Sequence, residues 1–136
     1  MECLQVSNKS GGMKLNKFHS LDDFQEFEEE IQDTEKFASL KLSLSKIGGV
    51  TAVDHTRKAM DRMLHNSLMA KMNMKGKKGK FPFGKTQLFQ AIIETVRDSH
   101  SNVTEVTIKD AIMKQLKYAP ERAGGGGRKM QTGNQN

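Results

Sequence analysis

Residues 71–86 read KMNMKGKKGKFPFGKT, and the fold turns on how that stretch is taken. Its second half, Gly79-Lys80-Phe81-Pro82-Phe83-Gly84-Lys85-Thr86, satisfies the nucleotide-binding pattern of a glycine, four residues, then Gly-Lys-Ser/Thr. A working phosphate loop leaves a buried strand and opens a helix, within alternating strands and helices that build a parallel sheet. Here only the helix is in place. The residues leading in, Met69 to Lys78, are lysine-rich and show no strand pattern. No later apolar strand ends in an aspartate to hold magnesium, and Pro82 removes one of the N–H donors a cradle needs. The match is therefore read as formal, and the fold class as all-α.

Read as a loop, the same stretch carries Lys71, Lys75, Lys77, Lys78, Lys80 and Lys85 with no acidic residue among them. Gly76, Gly79 and Gly84 deny it regular helix and let the backbone approach a ligand closely. Lysines on such a segment can follow a phosphate backbone by counterion release, with no base contact required. A solvated connection between two helices is the competing reading. Phe81 and Phe83 flank the proline, either as stacking platforms for a base or as anchors into a core.

Outward from the loop, helical periodicity dominates. After it, Thr86 can cap a helix whose apolar face is Leu88, Phe89, Ile92, Ile93 and Val96, the strongest in the chain. A turn at Ser99 to Asn102 leads to a helix capped by Thr104, with Ile108, Ala111, Ile112, Leu116 and Ala119 inside and Pro120 as its stop. Before the loop, Ser20 caps a helix with Leu21, Phe24, Phe27 and Ile31 on one stripe. Asp33 or Thr34 caps a second, with Phe37, Leu40, Leu44 and Ile47, which Gly48-Gly49 ends. Thr51 opens a third with Val53, Met60, Met63 and Leu64 as its buried stripe. Asn66-Ser67 is a break or a new cap before a short continuation through Leu68, Met69 and Met72. Its methionines suit either adaptable core filling or a groove. The expected architecture is a compact bundle of about five helices, with the Lys/Gly-rich loop before the fourth. It spans residues 20–122, between a disordered tail (1–19) and a Gly-rich flexible tail (123–136).

Charge is unevenly placed. The net charge is +6, yet Asp22, Asp23, Glu26, Glu28, Glu29, Glu30, Asp33 and Glu35 make up half of all the acids. From Lys36 onward 19 basic residues face 7 acidic ones. A basic body behind an acidic helix suggests an anionic partner, or an acidic segment lying against a basic surface. Glu28-Glu29-Glu30 reads as a solvated helix face rather than as catalytic carboxylates. His19, His55, His65 and His100 lack metal-ligand spacing, and Cys3, the one cysteine, can form neither an internal disulfide nor a cysteine-based zinc site. There is no apolar run of about 18 residues and no signal-peptide core.

The order of these features resembles a small helical domain of unknown function, number 4806, known mainly from arthropod and fish proteins. The resemblance is carried by LDDFQEFEEEI, by LSKIGGVTAVDHTRKAMDRMLHNSLMAKMNMKGKKGKFPF, by LFQAIIETV and by IKDAIMKQLKYAPER. The most telling matches are Ile47 to Gly49, Lys75 to Lys80 and Ala119 to Arg122. Met74 and Gln115 stand where the family often has Trp. The resemblance implies an α-helical module in a nuclear or transposon-derived setting and no established activity.

The expected function is non-catalytic binding of nucleic acid through Lys71, Lys75, Lys77, Lys78, Lys80 and Lys85, with Arg57, Lys58 and Arg62 as neighbours. No cofactor, metal, membrane or small-molecule substrate is expected, and the expected compartment is the nucleus, with the cytoplasm as the alternative. The competing expectation is a protein-interaction or homo-oligomeric module.

Overall fold

A computed structural model describes residues 12–122. Among these residues are six α-helices: α1 (Leu21–Glu30), α2 (Thr34–Ile47), α3 (Ala52–Met63), α4 (Asn66–Met69), α5 (Gln87–Ser99) and α6 (Glu105–Tyr118). The expected caps are in place. The side chains of Ser20, Asp33, Thr51, Thr86 and Thr104 accept from the backbone N–H groups of Asp23, Lys36, Asp54, Phe89 and Thr107. Each satisfies a donor that the first helical turn leaves without a partner. Gly48 stops α2 with a φ of 66°. Gly49 then passes so near α3 that a Cβ on it would sit 2.4 Å from the His55 backbone nitrogen.

Helix α5 is the centre. Leu88, Phe89, Ala91, Ile92, Ile93, Thr95 and Val96 are all buried, on more of its circumference than a one-sided surface helix would cover. It packs against α2, α3 and α6, and α3 packs in turn on α6. The core-facing side of α3 differs from expectation. Val53 is 36% exposed, while His55 and Thr56 are fully buried beside Ala59, Met60 and Met63. The polar pair can lie inside because its atoms are bonded. The Thr56 hydroxyl donates to the Ala52 carbonyl, and His55 Nε2 donates to the Leu44 carbonyl at 2.9 Å. That leaves His55 Nδ1 to accept from His100 Nε2 at 3.1 Å. Met60, Met63, Met69 and Met72 are buried core residues, which favours the core-filling reading of the methionines over the groove.

Two features arise outside helical periodicity. Helix α4 is the short continuation, re-capped by His65, whose Nδ1 accepts from the Ser67 N–H. Met72–Asn73 (β1) and Phe81–Pro82 (β2) form a two-residue parallel pair, with Met72 opposite Phe81 and Asn73 opposite Pro82. The expected tail also ends earlier than residue 19. Met13, Leu15 and Phe18 pack against the core. Met13 exchanges two hydrogen bonds with Ser43, at 2.6 and 2.7 Å, and Phe18 bridges to Leu64. Residues 1–11 and 123–136, where the rest of the two expected tails falls, lie outside the described residues. No helix among the described residues is long and apolar enough to cross a membrane.

Candidate nucleic-acid interface

The lysine loop has a defined shape, and Asn73 sets it. Its Oδ1 accepts from the N–H groups of Gly76 (2.6 Å) and Lys77 (2.9 Å), and its Nδ2 donates to the Lys77 carbonyl at 2.9 Å. The Lys80 N–H donates to that same carbonyl at 3.1 Å. To turn this tightly the chain takes positive φ at Gly76 (77°), Lys78 (58°) and Gly79 (76°). For Lys78, which carries a Cβ, that conformation costs about 1 kcal/mol, so the loop's bonds hold it there. At the base, the Phe81 N–H donates to the Lys71 carbonyl and the Gly84 N–H to the Met74 carbonyl. Gly84 is required for this approach, since a Cβ would lie 2.8 Å from the Met74 oxygen.

On this frame Lys71, Lys75, Lys77, Lys78 and Lys85 are exposed and Lys80 is half-buried. None of the six forms an ion pair with a described carboxylate. Six cations on the helices are paired. Lys41 meets Glu94 at 2.9 Å, Arg57 and Lys58 meet Asp54, Arg97 and Lys109 meet Glu105, and Lys114 meets Asp110. Arg57 and Lys58 are thus already engaged. Arg62 lines a shallow groove with Met13, Ser43 and Lys46, and no described contact joins it to the loop.

Beneath the lysines the two phenylalanines are anchors. Phe83 is fully buried, and Phe81 is half-buried with its ring edge-on to Phe24 at 6.0 Å. Both rings are used in packing, Phe83 wholly and Phe81 in part. The Walker-type string is not arranged as a phosphate cradle. The Thr86 hydroxyl is spent inside the chain, donating to the Phe83 carbonyl at 2.8 Å and accepting from the Phe89 N–H at 3.0 Å. The next two N–H groups of α5, from Gln87 and Leu88, donate to the two oxygens of Glu28 at 2.7 and 2.9 Å. A carboxylate from α1 occupies the helix N-terminus that a phosphate would need.

Glu28 is the residue the sequence reading placed wrongly, on a solvated face. Its signal was its spacing, four residues after the buried Phe24 and so on the same side of α1. Burial pushes its carboxyl above the usual carboxylate range, and the bonds from Gln87 and Leu88 pull it back only in part. Asp54 and Glu94 shift the other way. The Val50 N–H and Lys58 hold Asp54 low, and hydrogen bonds from Lys41 and Gln90 hold Glu94 low. The signs follow from linkage. Asp54 and Glu94 add stability that is present above their unfolded pKa and lost as pH falls through their folded one. Glu28 adds stability that is present below its unfolded pKa and lost as pH rises through its raised folded one. Glu28→Gln should therefore remove the opposing contribution and steepen the loss of stability on acidification. Thermal melts of both proteins across the carboxylate range would show it, and a shallower loss in the variant would mean that α5 holds Glu28 as a favoured carboxylate.

Elsewhere, an open groove of about 810 Å³ runs between Met13–Phe18 and helices α1 and α2, and it contains none of the six lysines. No three His, Cys, Asp or Glu side chains come together as a metal site among the described residues.

A family model described as a domain of unknown function (DUF4806) matches residues 18–96. The matched stretch begins at Phe18, where the ordered arm meets Leu64, and covers the whole loop and most of α5. Helix α6 lies beyond it. No curated protein and no solved structure matches.

Proposed function

We propose that this chain, which belongs to the family of the domain of unknown function DUF4806, binds the phosphate backbone of nucleic acid through its lysine loop and does so without catalysis. One observation carries this reading. The loop gathers six ammonium groups with no described carboxylate to neutralise them, while Lys41, Arg57, Lys58, Arg97, Lys109 and Lys114 on the helices are paired. Unpaired lysines on an ordered loop suit an anionic polymer, whose release of counterions drives association. The proposed compartment is the nucleus, where such a polymer is abundant. The direct test is fluorescence anisotropy of a labelled mixed-sequence DNA duplex at low salt. Saturable binding that weakens with added salt supports the reading, and its absence contradicts it.

A second reading has its own observation. Asp22, Asp23, Glu26, Glu29 and Glu30 on α1 are exposed and form no ion pair with a described cation. Helix α1 adjoins the loop through the Phe24–Phe81 ring contact and the Glu28 bonds to α5. An acidic face beside a basic one is complementary to its own copy turned around. Self-association of that kind predicts a dimer at low salt that dissociates at high salt, measured by sedimentation without nucleic acid. A monomer at every salt concentration removes this reading.

A further inference from the structure

We infer that the loop is a preformed clamp for the backbone of double-stranded nucleic acid, with its lysine spacing fixed by Asn73 acting as a positioning residue. This rests on the reading of the loop as a nucleic-acid site and deepens it to a partner class.

Two independent observations lead there. The first concerns what the loop lacks. Binding of single strands draws much of its strength from bases stacked on exposed aromatic rings. The chain has no tryptophan and one tyrosine, Tyr118, at the end of α6. The loop's own rings, Phe81 and Phe83, are turned into the core against Phe24. A surface of ammonium groups whose neighbouring rings pack against the core gains little from unpaired bases. It gains most from the denser line of charge, which is the duplex.

The second concerns what holds the lysines apart. Three bonds from one side chain close the turn from Asn73 to Lys77. The β1–β2 pair ties the two ends of the loop together, and the backbone between them turns through positive φ at Gly76, Lys78 and Gly79. A loop already in one shape loses less conformational freedom when a regular, stiff partner docks. A flexible single strand adapts to any shape and would not need this frame. Asn73 contributes no charge, so its part in binding is separable from that of the lysines.

The test uses the full chain and two labelled probes of mixed sequence, a 20-base-pair DNA duplex and one of its strands alone. The duplex should bind about tenfold more tightly than the strand near 0.1 M salt, with the steeper dependence of affinity on salt. Asn73→Ala should weaken duplex binding by about tenfold while leaving the salt slope unchanged, because every cation is still present. A purely structural role would instead lower the melting temperature and leave duplex affinity of the folded protein as it was. Gly79→Ala is the second variant, in case Asn73→Ala does not fold. It strains the turn at a positive φ in open space, where a Cβ meets no atom within 4 Å, and it should weaken duplex binding in the same way. Equal or tighter binding of the single strand overturns the inference, as does wild-type duplex affinity in both variants. If instead neither probe binds, or binding ignores the loop lysines, the failure belongs to the nucleic-acid reading itself.

Discussion

Phe24→Ala is expected to destabilise the protein by about 3–5 kcal/mol, the usual cost of emptying a fully buried phenylalanine site. In a domain of this size that is a fall of roughly 10–25 °C in melting temperature. Phe24 is fully buried and lies where three separate parts of the chain meet. Its ring stands 5.9 Å from Phe18 of the N-terminal arm, 6.0 Å from Phe81 and 6.5 Å from Phe83 at the base of the lysine loop. Phe83 continues the cluster to Phe89 on α5 at 6.1 Å. The cavity would therefore open between elements that have no covalent reason to stay together. Val106→Ala is the comparison. That side chain is 73% exposed, and its loss should stay within about 0.5 kcal/mol. Denaturant or thermal melts of the two variants check the contrast, and similar losses in both would mean that the phenylalanine cluster is not the anchor of the loop.

Changing Lys75, Lys77, Lys78 and Lys80 together to alanine is expected to lower duplex affinity by about a hundredfold or more near physiological salt, if each lysine releases close to one counterion. Stability should change little. Lys75, Lys77 and Lys78 are exposed, none of the four forms an ion pair with a described carboxylate, and the side chain that frames the turn is Asn73. The same measurement on Arg57→Ala should show a much smaller loss, since its guanidinium already faces Asp54 at 3.7 Å. An equal loss from Arg57→Ala would move the interface off the loop and onto α3.

The helical frame was legible because its signals are local. A capping side chain lies within three residues of the N–H it satisfies, so Ser20, Thr51, Thr86 and Thr104 could be read directly. Apolar spacing found the core positions of α5 and α6 for the same reason. What escaped depends on contacts across long stretches of chain. Ser43 holds Met13 over 30 residues, and Glu28 reaches Gln87 over 59. No periodic pattern announces either. His55 was hidden because a polar residue on a buried face is legible only once its partners, Leu44 and His100, are known. In the loop, composition gave the charge but not the order. Asn73 sits in a stretch where glycines and lysines suggest a mobile connector, and only the three bonds it makes reveal a fixed turn. The resemblance read from the sequence is borne out by the family match over residues 18–96, and the α6 segment that was read with it lies past the matched residues.

The measurement that bears most directly on the account is the salt dependence of binding to a mixed-sequence DNA duplex, compared between the wild type and the protein lacking Lys75, Lys77, Lys78 and Lys80. A backbone clamp gives a steep wild-type slope in log affinity against log salt, and a variant slope shallower by about 0.9 for each phosphate contact removed. Parallel slopes, with both proteins binding weakly and alike, would contradict it and leave the loop a solvated connector between α4 and α5.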